Sequence, residues 1–364
     1  MLFRSTKDLP LEKISSKCLI VVGEMPLSDT QFLICQLAAK YNWPIYADIL
    51  SNIRLLNNKF IIHNFELCLL NENFKSLFAD YTILYFGTRL VSKRFWQWLS
   101  KESKEVFYFN NTHTNSDQLG IFNQVIATDL DQYLQKEINK ENYYQNNWSK
   151  IRELSNDISL LTQNFLQQNI TEASFAVSLL DCIKQEVLIF VSASMPIRYL
   201  DQMLTYAPCN IEVLSNRGVS GIDGVISSAI GAALSYTKRT ILFIGDMAFI
   251  HDSNSLALLK QLKTPMLILV INNQGGGIFN FLPINADKEI LPFITLAHKT
   301  NLQSLCHAYD INYQKISYPK ELVISIEQYF SSNIHTVVEI VSNSDRNSCL
   351  IKELYKNIKE AYEK

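Results

Sequence analysis

The amino-acid sequence predicts an α/β protein made of two doubly wound domains, each with a parallel sheet between layers of helices. Three observations favour this class. Short apolar runs alternate along the chain with segments whose apolar residues have helical spacing. Several of these runs end in glycine or in a polar pair, which is typical of a strand that turns towards a helix. The length of 364 residues suits about two domains, each with a core of its own.

The first domain is expected over residues 1–150, where the alternation begins at residue 18. Parallel strands joined by helices produce such a pattern. Its predicted elements are a strand at Cys18–Val22, a helix at Asp29–Tyr41, a strand at Tyr81–Phe86, a helix at Val91–Leu99 and a strand at Glu105–Phe109. Residues 131–168 are polar, rich in Asn and Gln, and predict a long connecting helix or a pair of helices, with the domain boundary near residue 150.

The second domain is expected over residues 151–364 and shows the alternation more clearly. Thr171 predicts the start of a helix ending at Ile183, because its hydroxyl can accept from the first-turn N–H groups. Pro196 suits the first turn of a helix ending at Leu204. The other predicted elements are strands at Val187–Val191, Glu212–Leu214, Thr240–Ile244, Pro265–Ile271 and His335–Val341, and helices at Asp223–Tyr236, Ser255–Leu262 and Cys349–Tyr362. Ligands of such domains bind at the carboxyl ends of the strands.

Composition excludes several classes of function. Lys and Arg total 33 against 35 Asp and Glu, a formal charge of −2, which disfavours a nucleic-acid-binding protein with a broadly basic surface. The longest apolar runs, such as Met266–Ile271, are far shorter than the ~20 residues of a membrane-spanning helix. The seven cysteines are scattered and never form a CxxC pair, so we expect reduced thiols and a cytoplasmic protein.

Polar residues and glycines gather at two predicted strand ends. Of the 11 glycines, eight lie between residues 218 and 277. Asp246 follows one strand and Asn273, 27 residues later, follows the next, so a carboxylate and an amide should lie side by side. Their oxygens suit Mg²⁺, and the glycines after Asn273 can expose backbone N–H groups to phosphate. The sequence therefore predicts a magnesium–diphosphate site, with two ordinary turns as the alternative.

Gly245-Asp246 together with Asn272-Asn273 resembles the thiamin diphosphate fingerprint of the decarboxylase and transketolase superfamily, although Met247 stands where glycine is usual. Longer strings are similar to one family, the 2-succinyl-5-enolpyruvyl-6-hydroxy-3-cyclohexene-1-carboxylate synthases of menaquinone biosynthesis. These strings are Ser215–Gly224, Asn273–Phe279, and Phe86–Arg94 with Gln97 and Trp98.

The resemblance implies a transferase that binds thiamin diphosphate through Mg²⁺ or Mn²⁺. Asp246, Asn273 and the backbone oxygen of Gly275 would hold the metal. Ile222 would be the catalytic residue that bends the cofactor and brings its aminopyrimidine nitrogen close to the thiazolium carbon; the alternative is the first core residue of a helix. The implied cofactor contacts are Gly221, Ile222, Gly245, Asp246, Met247, Ala248, Asn273, Gly275, Gly276, Gly277 and Ile278.

The family's substrates are implied as well: 2-oxoglutarate, which is decarboxylated, and isochorismate, which receives the succinyl-semialdehyde unit. Ser194, Arg198 and Arg217 match the 2-oxoglutarate contacts. Ser194 and Arg198 lie at i and i+4 near a helix amino end, where anions are favoured. Lys93, Arg94 and Phe279 are expected on the isochorismate side. The alternatives are surface cations and, for Phe279, core packing.

The resemblance begins at the second of the family's three domains, a Rossmann-like central domain, and continues into the diphosphate-binding domain. The amino-terminal pyrimidine-binding domain, whose glutamate activates the cofactor, has no counterpart here. We therefore expect the carboxy-terminal part of a split or truncated synthase, in a homo-oligomer with a separate pyrimidine-binding chain. The alternatives are a non-catalytic thiamin diphosphate-binding remnant, a structural α/β protein, or another 2-oxoacid decarboxylase.

Overall fold

The computed structural model describes residues 11, 14–102, 104–111, 120–141, 146–217, 221–236, 238–286 and 289–361. These residues form two compact units. The first takes its described residues from Met1–Leu161 and Asn357–Lys364, and the second from Thr162–Lys356. Among the residues so described, no helix combines the length and the apolar character needed to cross a membrane.

The first unit contains a five-stranded parallel sheet in the order β2-β1-β3-β4-β5. The strands are β1 Cys18–Val22, β2 Ile45–Ala47, β3 Thr82–Phe86, β4 Val106–Asn110 and β5 Gln124–Ala127. The helices are α1 Thr30–Tyr41, α2 Phe65–Cys68, α3 Glu72–Ser76, α4 Lys93–Leu99, α5 Leu130–Ile138 and α6 Ser149–Gln168, with a 3-10 turn at Ile49–Ser51. From Thr162 onwards, α6 belongs to the second unit. Strands β1 and β3 are buried along their whole length, which explains their continuous apolar runs.

A buried cation lies inside the first unit. Arg54 is fully buried, and its Nη1 donates to Nδ1 of His63 at 2.8 Å. Burial and the neighbouring charge of Arg54 lower the pKa of His63 to about 3. His63 is therefore neutral in the folded protein at neutral pH.

The second unit contains a six-stranded parallel sheet in the order β10-β11-β9-β8-β6-β7. The strands are β6 Val187–Val191, β7 Ile211–Leu214, β8 Arg239–Gly245, β9 Met266–Asn272, β10 Asn312–Ile316 and β11 Thr336–Val341. The helices are α7 Glu172–Cys182, α8 Met195–Met203, α9 Val225–Ser235, α10 Asp246–His251, α11 Leu291–Thr295, α12 Leu302–Ala308, α13 Pro319–Ser331 and α14 Ser344–Glu360. From Asn357 onwards, α14 belongs to the first unit. Short 3-10 helices are found at Ser253–Gln261, Gly277–Phe281 and Pro283–Ala286. The two parallel sheets flanked by helices confirm the predicted fold class.

Local signals account for two helix starts. The Thr171 hydroxyl accepts from the Ser174 N–H at 3.1 Å, and the Ser174 hydroxyl accepts from the Thr171 N–H at 3.0 Å, which forms a capping box before α7. Pro196 lies in the first turn of α8, as predicted. The predicted helix Ser255–Leu262 was wrong in type, because this segment is a 3-10 helix. With three residues per turn, Leu256 and Leu259 fall on one face and are both buried.

The order of strands in the second sheet reverses at β6. The chain passes from β6 to β7 on one side, and then returns to β8 on the other side of β6. A crevice forms outside the carboxyl ends of the strands at such a reversal, because the helices on either side leave in opposite directions. A ligand site is therefore expected at the carboxyl ends of β6 and β8.

All seven cysteines are free thiols, as predicted. Cys18, Cys68 and Cys306 are buried. Cys349, on α14, is exposed, and the other three are partly buried.

Candidate functional site

A cavity of about 320 Å³ opens at the carboxyl ends of β6, β8 and β9, where the strand order reverses. Its wall contains every residue that the sequence predicts to contact the cofactor, together with two of the predicted substrate contacts. The predicted residues in the wall are Gly221, Ile222, Gly245, Asp246, Met247, Ala248, Asn273, Gly275, Gly276, Gly277 and Ile278, with Ser194 and Phe279. Residues that are far apart in the sequence are thus gathered around one space.

Asp246 is a buried, well-anchored carboxylate. It begins α10 directly after β8, and only 3% of its surface is exposed. Its Oδ1 accepts from the Met247 N–H at 2.7 Å, and its Oδ2 accepts from the Gly275 N–H at 3.0 Å. His298 Nε2 lies 3.2 Å from the same Oδ2. Burial raises the pKa of Asp246 above its usual value, although these hydrogen bonds and His298 oppose the shift.

Asn273 presents an unsatisfied oxygen. Its Nδ2 donates to Oε1 of Glu172 at 2.9 Å, whereas its Oδ1 is buried and has no hydrogen-bond partner in the described part of the chain. A buried polar atom without a partner costs about 1–3 kcal/mol of folding free energy, and a bound ligand that pairs with the atom would offset this cost. A cation would satisfy it, and the Asp246 carboxylate and the Gly275 carbonyl supply further hard oxygens on the same wall. The residues present therefore fit the predicted metal.

The loop after β9 requires its glycines. Gln274 has a φ of 65° and Gly275 a φ of 153°. A Cβ on Gly275 would lie 2.7 Å from the Thr295 carbonyl oxygen, and a Cβ on Gly277 would lie 2.6 Å from Nδ2 of Asn273. The loop can therefore approach Thr295 at Gly275 and Asn273 at Gly277 this closely only because glycine has no side chain.

Ile222 lies in the cavity wall and is 39% exposed. It precedes α9, which begins at Val225 and not at Asp223 as predicted. Ile222 is therefore not the first core residue of that helix, which was the alternative reading. An exposed apolar side chain facing a cavity agrees with the predicted contact to a cofactor, although its catalytic role stays a prediction.

Ser194 follows β6 and precedes α8 with φ 71° and ψ −135°, a conformation that non-glycine residues rarely adopt. Such a conformation costs about 1–3 kcal/mol and is often found at functional sites. Arg198, one turn into α8, donates from Nη1 to the Ser194 carbonyl. Ser194 lines the cavity, whereas Arg198 is not among the lining residues.

The other predicted substrate cations lie outside the cavity wall. Arg217 is partly buried and lies three residues after β7. Lys93 and Arg94 begin α4 in the first unit. Arg94 donates to the carboxylate of the buried Glu66 and, at 2.8 Å, to its carbonyl. The substrate roles of these residues stay predictions.

Sequence reasoning missed two residues, Glu172 and His298. Glu172 is 2% exposed and lies in the cavity wall, where Asn273 and the hydroxyls of Ser342 and Tyr199 donate to it. Burial raises the pKa of Glu172 above its usual value, although the three donors oppose the shift. No local sequence signal identifies this residue, because its partners are distant in the chain. Within the described ranges, no group of three or more His, Cys, Asp or Glu side chains could hold a metal, so the predicted site depends on a single carboxylate.

Comparisons with known proteins agree with this geometry. A family model described as the middle domain of thiamine pyrophosphate matches residues 6–191. A second, the C-terminal TPP binding domain of thiamine pyrophosphate enzymes, matches residues 199–340. Thiamine pyrophosphate is another name for thiamin diphosphate.

Curated relatives match almost the whole chain. The 2-succinyl-5-enolpyruvyl-6-hydroxy-3-cyclohexene-1-carboxylate synthase of Lysinibacillus sphaericus is 29% identical over 94% of this chain and 61% of its own length. The synthase of Psychromonas ingrahamii is 30% identical over 95% of this chain and 59% of its own length. Protein PHYLLO, chloroplastic, of Arabidopsis thaliana is 29% identical over 98% of this chain and 23% of its own length.

The chain spans about three-fifths of the length of the bacterial synthases that it matches. The resemblance inferred from the sequence is confirmed, and the predicted cofactor, thiamin diphosphate with a divalent metal ion, is the one this family uses. Because one family model alone covers half of the chain and a second covers most of the rest, the chain belongs to the thiamin pyrophosphate enzymes.

Proposed function

We propose that the chain is the carboxy-terminal part of a split or truncated 2-succinyl-5-enolpyruvyl-6-hydroxy-3-cyclohexene-1-carboxylate synthase, a transferase of menaquinone biosynthesis. In the proposed reaction 2-oxoglutarate loses CO₂, and the remaining succinyl-semialdehyde unit is added to isochorismate. The observation that carries the proposal is the cavity, whose wall combines the predicted cofactor residues with the unsatisfied Asn273 oxygen.

The predicted cofactor-binding residues have separate tasks in this proposal. Asp246, Asn273 Oδ1 and the Gly275 carbonyl hold Mg²⁺ or Mn²⁺, which offsets the charge of the diphosphate. Ile222 would pack against the cofactor and set its conformation, since its apolar side chain packs without competing for hydrogen bonds. When bound, thiamin diphosphate supplies a carbon nucleophile and an electron sink for decarboxylation.

The substrate carboxylates require cations. Ser194, Arg198 and Arg217 are proposed to bind 2-oxoglutarate, because arginine binds carboxylates with two parallel hydrogen bonds and helix amino ends favour anions. The strained Ser194 backbone, which Arg198 contacts, lies at the cavity and supports this placement. Lys93, Arg94 and Phe279 are proposed to contact isochorismate.

The proposal includes a partner. In this family the glutamate that activates the aminopyrimidine ring belongs to the pyrimidine-binding domain, so a separate chain would supply it. We assign residues 1–150 to the central domain and 151–364 to the diphosphate-binding domain. We also propose a homo-oligomer that works in the cytoplasm.

The cofactor site is tested by binding. Asp246→Ala should abolish Mg²⁺-dependent binding of thiamin diphosphate in isothermal titration calorimetry, because the metal loses its only side-chain carboxylate. Arg198→Ala is the matched control, since it removes a cation outside the cavity wall and should leave cofactor binding intact. Binding by Asp246→Ala equal to that of the unmodified chain would show that the metal is held elsewhere.

The reaction is tested by reconstitution. The chain is mixed with a candidate pyrimidine-binding chain, thiamin diphosphate, Mg²⁺, 2-oxoglutarate and isochorismate, and CO₂ and the adduct are measured. Arg198→Ala should impair the use of 2-oxoglutarate far more than cofactor binding. CO₂ without adduct would indicate another 2-oxoacid decarboxylase, and cofactor binding without CO₂ in any mixture would indicate a non-catalytic remnant.

A further inference from the structure

A buried carboxylate in the same cavity wall contacts the Asn273 amide. Glu172 is the first residue of α7, and 2% of its surface is exposed. Its Oε1 accepts from Asn273 Nδ2 and from the Ser342 hydroxyl, both at 2.9 Å. Its Oε2 accepts from the Tyr199 hydroxyl at 3.1 Å. Every side chain that contacts the carboxyl group in these bonds is a donor.

Glu172 is itself held in place. Its backbone N–H donates to Oδ1 of Asn347 at 2.9 Å, and Nδ2 of Asn347 donates to the Tyr199 hydroxyl at 2.8 Å. The capping box of Thr171 fixes the start of α7 one residue earlier. These bonds form a closed ring in which each group donates to the next: the Glu172 N–H to Asn347, Asn347 to the Tyr199 hydroxyl, and this hydroxyl to the Glu172 carboxyl group.

This network decides which end of the Asn273 amide faces Glu172. An amide carries a donor on one side and an acceptor on the other, and carboxylate oxygens only accept. The reverse orientation would place two acceptor oxygens in contact at the Glu172 side, so Nδ2 faces Glu172 and Oδ1 faces away. Oε1 already accepts two hydrogen bonds, so a proton on this carboxyl group would lie on Oε2 and leave the Asn273 contact unchanged.

We propose that Glu172 is a positioning residue for the divalent metal, because it holds the Asn273 amide with its oxygen, and not its nitrogen, towards the cavity. The inference rests on the proposed metal–diphosphate function of the cavity. Partners that orient a metal ligand typically change metal affinity by about 10–100-fold when they are altered. A glutamate that only complemented the amino end of α7 would not need to be buried against three side-chain donors.

The first test is Glu172→Gln, a substitution of nearly the same shape. The introduced amide can turn its NH₂ group towards Asn273 and so permits the reverse orientation. With Mn²⁺ as the probe in the presence of thiamin diphosphate, electron paramagnetic resonance of the full chain should show about 10–100-fold weaker metal binding. No turnover is needed for this measurement. Unchanged Mn²⁺ affinity would overturn the inference.

The second test adds Asn273→Asp to Glu172→Gln. A carboxylate presents an oxygen to the cavity in either orientation, and its other oxygen can accept from the introduced amide. The double variant should therefore recover Mn²⁺ affinity at least about tenfold over Glu172→Gln alone, reversing the single-variant loss. A role of Glu172 in folding alone would not be restored by this change, so absence of recovery would overturn the inference.

Ser342→Ala is the matched control. It removes the other hydrogen bond to the same Oε1 at the same distance and leaves the Asn273 contact in place. Its Mn²⁺ affinity should stay close to that of the unmodified chain, and thermal unfolding in EDTA measures the stability of each variant. A loss as large as that of Glu172→Gln would mean that the network only supports the fold. An unmodified chain that binds no Mn²⁺ with thiamin diphosphate would instead contradict the proposed function, and this inference with it.

Discussion

Single residues at the cavity combine unfavourable local features. Asn273 leaves an oxygen buried without a partner, and Ser194 adopts a backbone conformation that is rare outside glycine. Each of these features costs free energy in the isolated fold. A bound ligand can offset the cost of the unpartnered Asn273 oxygen, but not the cost of the Ser194 backbone conformation. Their presence around one cavity is consistent with a site that is shaped for a ligand before it binds.

His63 should make the stability of the first unit depend on pH. Its pKa is lowered to about 3 from 6.5, so between these values the unfolded chain binds a proton that the folded chain does not. The free energy of unfolding should therefore fall as the pH falls, by at most about 1.4 kcal/mol per pH unit from this residue. His63→Asn should remove that slope in urea unfolding measured from pH 7 to pH 4. A variant profile parallel to the unmodified one would contradict this expectation.

The sequence was most informative about residues in contiguous motifs. The meeting of Asp246, Asn273 and their glycines at one cavity could be predicted because the carboxyl ends of neighbouring parallel strands lie at the same edge of a sheet, whereas their role in binding a metal stays a prediction. Glu172 could not, since its role arises from contacts with Ser342 and Tyr199 that no local pattern reveals. Long-range hydrogen bonds depend on tertiary packing, which periodicity does not encode.

At the scale of elements, the start of α9 depends on a side chain from another loop. Asp252 Oδ2 accepts from the N–H groups of Ile226 and Ser227 at 2.6 and 3.1 Å, and its Oδ1 accepts from the Ser255 hydroxyl at 2.7 Å. These bonds satisfy first-turn donors that have no partner inside the helix. The chain is thereby anchored at the amino end of α9, a few residues after Ile222.

Asp252→Ala should destabilise the protein by about 1–2 kcal/mol, because first-turn N–H groups lose their buried acceptor. Gly231→Ala in the same helix is the contrasting variant. Apart from its chain neighbours and the nearby backbone of its own helix, a Cβ at Gly231 would meet no atom of the described residues within 4 Å, so the change should stabilise the helix by about 0.5–1 kcal/mol. Urea unfolding measures both. An Asp252→Ala variant as stable as the unmodified chain would exclude the proposed cap.

Elements differ in how well their sequences identify them. Central strands such as β1, β3 and β9 could be predicted because parallel strands covered on both faces form continuous apolar runs. Of the four edge strands, β7 was predicted at Glu212–Leu214, but β2, β5 and β10 were not. Strand β2 has only three residues, and β10 is mostly polar and partly exposed. An exposed edge needs no apolar face, so its sequence resembles that of a loop.

At the scale of the whole molecule, function depends on topology. The cavity lies where the strand order reverses, so residues from three strand ends meet although Ser192 and Asn273 are 81 positions apart (273 − 192). The sequence indicated the class of this sheet but not its order, because periodicity identifies strands and leaves their neighbours undetermined. The domain limits 1–150 and 151–364 stay a prediction.

The two units should respond differently to the cofactor. All four tryptophans, Trp43, Trp96, Trp98 and Trp148, belong to the first unit, whereas the cavity belongs to the second. A ligand at 100 times its dissociation constant stabilises the unit that binds it by about 2.7 kcal/mol. Thiamin diphosphate with Mg²⁺ should therefore raise the thermal midpoint followed by circular dichroism more than the midpoint followed by tryptophan fluorescence. Equal shifts, with EDTA as the control, would contradict this.

The cysteines differ in burial, so one of them can be labelled selectively. Cys349 is exposed on α14, whereas the other six thiols are at least partly buried. A maleimide dye added briefly at neutral pH should therefore modify this position first, without any prior mutagenesis. Such a fluorophore would report on the second unit, which carries no indole of its own, and would allow the unmutated chain to be followed while a companion polypeptide is titrated in.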